Sequence, residues 1–201
     1  MSITKKCVQV FQRAIEDYHL IDSVEQELNN PYKKEDIFIK NLYKKSWIDT
    51  IQWHLEDIIR KPDISAKKAL KIKRRIDKSN QERTDMVEVI DDYFFNKFFN
   101  VNEIDDCIIS TETPAWAIDR LSILELKIYH MNVESNRTLA GKKHRLSCLN
   151  KLEVLKSQRE NLSVAIDQLI ENISNGKTKA LTYKQMKMYN DEKLNPELYN
   201  K

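Results

Sequence analysis

The chain has 201 residues, which fits one domain at the usual size of roughly 100 to 200 residues, and its 2 Gly and 4 Pro against 32% charged residues leave little material for hairpins or glycine loops. With Gly141 and Gly176 alone, a Walker loop, a dinucleotide fingerprint and a nucleophile elbow are all excluded, because each needs several positions that only glycine tolerates. A net charge of +3 from 34 basic and 31 acidic residues argues against a general nucleic-acid or membrane binder. Cys7, Cys107 and Cys148 form no CxxC pair, so a reducing, cytoplasmic setting is expected, and no apolar run approaches the roughly 20 residues that span a bilayer, so membrane insertion is not.

In chain order, a first helix from about Ile3 to Leu20 carries Val8, Phe11, Ile15 and Tyr18 at helical spacing until Asn29-Asn30-Pro31 breaks the pattern. The second starts near Glu35, repeats Ile48, Ile51, Leu55 and Ile58, and ends before Pro62. Ser65 is the expected N-cap of a long third helix, about Ala66 to Phe99, with Ile76, Val87, Ile90 and Phe94 on one seam. A connector follows from Asn100 to Glu112. Thr113-Pro114 reads as N-cap and N1 of a fourth helix whose apolar residues fall on all sides, which makes it the central element. Past Gly141 a fifth helix repeats Leu152, Leu155, Leu162, Ile166, Leu169 and Ile173 and stops at Asn175-Gly176. The tail holds Leu181, Tyr183, Met186, Met188, Tyr189, Leu194 and Tyr199, too apolar to stay solvated. We therefore expect a single all-α domain over residues 1–201: an antiparallel bundle of about five helices over 1–176, with 177–201 packed on it.

Polar residues interrupt these seams. On the third helix Asn80 and Arg83 stand between Ile76 and Val87, on the fifth Arg159 stands between Leu155 and Leu162, and the central helix adds Asp119, Arg120, Glu125 and His130. An unpaired buried charge costs several kcal/mol, so these groups must meet partners, water or a ligand. Internal ion pairs, such as Arg83 or Arg159 with Asp119, are one reading. The other is an anion pocket, since guanidinium forks match carboxylate and phosphate; its expected lining is Arg60, Asn80, Arg83, Asp119, Arg120 and Arg159. A divalent cation is the cofactor that a second constellation could hold: His54 and Asp57 are three apart on one helix, Glu88 and Asp91 three apart on the next. The basic stripe Lys67, Lys71, Arg74 and Lys78 has no interleaved aromatics, so a solvated face or a protein contact fits it better than nucleic acid.

The blocks QWHLEDIIR, KRRIDKSNQERTDMVEVIDDYF, DRLSILELKIYHM and KMYND resemble a family of uncharacterised helical proteins, a domain of unknown function found mainly in Bacteroidota. That resemblance implies a cytoplasmic role near envelope polysaccharide synthesis and no established catalytic residues. More locally, RRIDKSNQER is similar to a helical chorismate mutase pattern, which implies that Arg75, Asp77, Asn80 and Arg83 face an anionic pocket. The expected activity is binding, or transformation, of a phosphorylated or otherwise anionic metabolite such as a sugar nucleotide. The alternative is a non-catalytic adaptor whose partner is a protein, such as an envelope glycosyltransferase.

Overall fold

The computed structural model describes residues 2–188 and 190–199. Five long helices follow one another: α1 (Ile3–His19), α2 (Ile37–Ile59), α3 (Ala66–Phe98), α4 (Pro114–Asn136) and α5 (Lys142–Ser174). A single turn, α6 (Pro196–Tyr199), closes the chain. Four of the five starts are capped by a side chain: Ser2 accepts from Lys5 N–H, Asp36 from Phe38, Ser65 from Lys68 and Thr113 from Trp116. Gly141 begins α5 without such a bond. The second helix starts two residues later than its hydrophobic pattern implies, because Asp36 rather than Glu35 supplies the cap.

α4 touches α1, α2, α3 and α5, which is what its apolar residues on every side require. Ala115, Ala117, Ile118 and Leu121 are buried there, against Phe11 and Ala14 of α1, Leu42 and Trp47 of α2, Val87, Ile90 and Phe94 of α3, and Ile166 and Ile170 of α5. A smaller cluster of Leu55, Ile72 and Ile76 closes the end of the α2–α3 hairpin. On α3 the buried seam runs through Ile72, Ile76, Ser79, Thr84, Val87, Ile90 and Phe94, so Ser79 rather than Asn80 holds the fully inward position and Asn80 is half-buried beside it.

The connector and the tail are zipped together after α5. Gly176 turns the chain at φ +70°, where a Cβ would run into the Asn102 carbonyl, so only glycine fits. Ile104 N–H then donates to Gly176 O, Ile108 N–H to Lys177 O and Lys179 N–H to Ile108 O. Further on, Asp91 accepts from the Tyr183 N–H at 2.9 Å, Trp116 Nε1 donates to Tyr183 O at 3.0 Å, and Lys187 Nζ donates to Asn80 O at 2.9 Å. Docking ends there: Met186, Met188, Leu194 and Tyr199 are exposed, and Tyr189 lies outside the described residues. Among the described residues no helix is long and apolar enough to cross a membrane.

Candidate functional site

Where α2, α3 and α4 meet, the core contains two cations and two carboxylates. Lys45 is fully buried, its Nζ 2.5 Å from Asp49 Oδ2 and 2.7 Å from Asp119 Oδ1. From the outer side Arg83 places Nε 3.1 Å from Asp119 Oδ1 and a terminal nitrogen 2.6 Å from Asp119 Oδ2, and it lies 3.4 Å from Asp49 Oδ1. The Ser122 hydroxyl donates to Asp49 Oδ2 at 2.6 Å. Burial pushes the Asp119 carboxyl up, but the charges and hydrogen bonds of Lys45 and Arg83 outweigh it and hold the group below the usual carboxylate range. Asp49 shifts the other way, because complete burial together with neighbouring Asp119 exceeds the relief from Lys45 and Ser122. In this array the two cations Lys45 and Arg83 match the two carboxylates Asp49 and Asp119, so with all four ionised the core carries no net charge here.

Arg83 and Asp119 also form the floor of an open groove of about 740 Å³ over α3, α4 and α5. Its wall continues with Arg120 and Lys127 from α4 and Gln158 and Asn161 from α5, beside apolar Ile123, Leu124 and Leu162. Arg120 and Lys127 are seven positions, about two helical turns, apart, both exposed, and both border the groove. Arg120 also reaches back to Glu112 at 2.5 Å. Three cations, two amides and one already paired carboxylate therefore surround a space within the usual range of a small-molecule site, roughly 300 to 1,000 Å³.

The other residues singled out from the sequence lie elsewhere. Arg60 caps the end of α2, exposed and bonded to Glu56 at 2.6 Å, far along α2 from the groove. Arg159 lies 3.7 Å from Glu125, not beside Asp119, and Gln12 donates to the same carboxylate at 3.0 Å; burial raises the Glu125 carboxyl despite both partners. Of the charged residues in RRIDKSNQER only Arg83 reaches the interior: Arg75 pairs with Glu25 and the Val24 carbonyl, and Asp77 with Lys73. The stripe Lys67, Lys71, Arg74 and Lys78 is exposed throughout.

The metal quartet is not brought together. Leu55, next to His54, packs at the level of Ile72 and Ile76, whereas Glu88 is 12 residues beyond Ile76, about 18 Å along the helix at 1.5 Å per residue. Glu88 and Asp91 instead bind the tail: Glu88 accepts from Gln185 N–H and Asp91 from Tyr183 N–H. Asp57 is exposed, and His54 turns towards His19 and His130. Sequence reasoning passed over Lys45 and Asp49, although the signal was there: both interrupt the α2 seam after Leu42 just as Arg83 interrupts that of α3.

A sequence model of the family described as Protein of unknown function (DUF4254) matches residues 39–181, which include α3, α4 and α5, nearly all of α2, and the docked start of the tail. No curated protein and no solved structure shows significant similarity to the chain.

Proposed function

Because the chain belongs to the family of proteins of unknown function DUF4254, whose description names no activity, we propose a function from the geometry alone: binding of a phosphorylated or otherwise anionic metabolite, of the sugar-nucleotide class, in the groove over α4 and α5. The observation that carries this reading is the lining. Arg120 and Lys127 face a concave space whose floor is a guanidinium, while its one carboxylate, Asp119, is already held by Lys45 and Arg83. An arriving phosphate meets donors on three sides, and Gln158 and Asn161 add neutral amides suited to hydroxyl groups. Within this reading Arg83 both anchors the core and presents its outer edge, with 29% of its side chain accessible. A cytoplasmic role in envelope polysaccharide synthesis is consistent with such a ligand.

The test is a thermal-shift panel of sugar nucleotides, sugar phosphates and small dicarboxylates on the protein and on the double variant Arg120→Ala/Lys127→Ala. A true ligand at about 100 times its dissociation constant stabilises by roughly 2.7 kcal/mol, or roughly 5 to 10 °C for a chain of this size. The double variant is expected to melt close to the parent when unliganded, since both side chains are exposed, and to lose the ligand response. A flat response across the panel would turn the balance towards the adaptor reading. One observation favours that alternative: Phe95 and Phe99 stack 6.4 Å apart at the end of α3, with Phe99 58% exposed, beside a cleft of about 250 Å³ that a partner's apolar side chain could fill.

A further inference from the structure

About one turn of α4 beyond Lys127, the last α4 residue lining the groove, three imidazoles from three helices converge. His19 is the last residue of α1, His54 lies late in α2 and His130 late in α4, and each offers a ring nitrogen within 4.8 Å of the other two. His54 Nε2 and His19 Nε2 are 3.2 Å apart. Two nitrogens held by one tetrahedral ion with bonds of about 2.0–2.1 Å would lie about 3.3 Å apart, so this pair already has the spacing of two ligands on one metal. The third nitrogen is close enough to join by a modest ring rotation.

Each ring is flanked by an aromatic neighbour that limits its rotation. His54 stacks on Tyr18 at 5.2 Å, His130 on Trp53 at 4.7 Å with planes 3° apart, and His19 lies 4.3 Å from Tyr129. His19 Nδ1 is 2.7 Å from the Ile15 carbonyl, to which it can only donate, and that fixes the tautomer with a bare lone pair on Nε2. His130 Nε2 is buried with no protein hydrogen-bond partner. A buried imidazole nitrogen without a partner is costly in a purely structural cluster and is what a metal ligand awaits.

The turn after α1 completes the arrangement. Asp22 takes φ +52°, a left-handed conformation that Asp tolerates better than most residues, with its N–H donating to Tyr18 O at 3.0 Å. The turn sets the Asp22 carboxylate 3.6 Å from His54 Nε2, on the solvent side of the three rings. We propose that His19, His54 and His130 form a binding site for a divalent transition-metal ion of the zinc class, with its fourth position open towards Asp22 and solvent. The ligand set selects that class: imidazoles suit Zn²⁺, Cu²⁺, Ni²⁺ and Co²⁺, whereas Mg²⁺ and Ca²⁺ want oxygen. Nothing in this assignment depends on the groove.

The test uses untagged full-length protein stripped with a chelator and titrated with Co²⁺, then Zn²⁺. One equivalent of Co²⁺ is expected to give the intense visible bands of a tetrahedral site, and one equivalent of Zn²⁺ to abolish them. His54→Gln and His130→Gln are each expected to weaken binding by about 100-fold or more, beyond the 10- to 100-fold that a lost outer-shell partner costs. His144→Gln removes the remaining histidine, which contacts Cys148 and Glu134, and is expected to leave binding unchanged. Should either triad variant fail to fold by circular dichroism, zinc-edge X-ray absorption on the unmodified protein decides, with three imidazole nitrogens expected. Absence of stoichiometric binding to the unmodified protein, a sulfur or oxygen-only shell, or full binding by folded triad variants would overturn the proposal.

Discussion

Replacing Lys45 by Met tests whether the buried charge array holds the bundle together. Methionine keeps most of the length of the lysine stem, so the change removes the ammonium with little cavity, and leaves Asp49 and Asp119 with only Arg83 against them. Breaking a buried pair in this way typically costs about 3–5 kcal/mol. An independent bound comes from proton uptake. A carboxyl that titrates near 3.9 in the unfolded chain can be protonated at pH 7 for about 1.36 kcal/mol per pH unit, or about 4.2 kcal/mol, and at pH 5 for about 1.5 kcal/mol. Once Lys45 is gone, Asp49, already raised by burial, is the group expected to take the proton. The variant's native state then holds one more proton than its unfolded state, so its stability falls as pH rises, with a slope near 1.36 kcal/mol per unit. The parent behaves differently in this window. Its lowered Asp119 contributes stability that is fully present above the unfolded value and is lost only as pH falls through the still lower folded value, while its raised Asp49 has the opposite sign but is held below its value in the variant by Lys45. The difference between parent and variant should therefore shrink from about 4 kcal/mol at pH 7 to about 1.5 kcal/mol at pH 5. Urea unfolding of both proteins at the two pH values measures it. A gap under about 1 kcal/mol at pH 7, or one that does not change with pH, would refute the reasoning, because either result means the carboxylates are not stranded. Adding Asp49→Leu to Lys45→Met should recover most of the loss, since the Arg83–Asp119 pair remains.

Three further outcomes follow from the same structure. Gly176→Ala should destabilise by more than about 1 kcal/mol in urea unfolding, because the positive φ and the Asn102 carbonyl both oppose a Cβ. Asp91→Ala should cost about 1–3 kcal/mol by leaving the Tyr183 N–H without its acceptor, and should speed amide exchange at Tyr183 while amides in the middle of α4 stay protected. Glu125→Gln should stabilise the protein at pH 8: burial raises the native carboxyl, so the native state favours the protonated form and loses stability as pH rises through that value, a loss the neutral amide avoids. That advantage should vanish in melts at acidic pH, where the parent is itself protonated.

The helical frame was legible because its signals are local. Ser65, Thr113-Pro114 and Asn175-Gly176 mark boundaries by hydrogen-bond and backbone chemistry that depends on a few neighbours, and each stands at or next to the boundary the sequence predicts. The central place of α4 was likewise readable from apolar residues on all its faces. What joins the connector to the tail was not, since the bonds of Ile104 and Ile108 to Gly176 and Lys177 link residues some seventy positions apart with no pattern of their own. Asn80 was placed one position off because steps of three and four fit both Asn80 and Ser79, and only the packing of α3 against its neighbours decides between them.

The site residues divide by a similar rule. Arg83 and Asp119 were visible as charges interrupting apolar seams, and Lys45 and Asp49 obey that rule in a part of α2 whose apolar steps are less regular. Arg60 shares the arginine chemistry but not the position: it stands at a helix end and pairs with nearby Glu56 in solvent. The register of the α2–α3 hairpin follows from its turn and keeps His54 and Asp57 apart from Glu88. In an antiparallel hairpin that turns between Ile59 and Ala66, a residue five before the end of α2 faces one about five to ten into α3, which is the Ile72–Ile76 level and excludes Glu88. No such arithmetic reaches the three histidines. Their convergence depends on where α1 ends and on how α1, α2 and α4 pack together, and the left-handed turn at Asp22 then sets a carboxylate beside His54. Chemistry assembled from helix ends in this way leaves no periodicity in the sequence, only three residues of one type at unrelated positions.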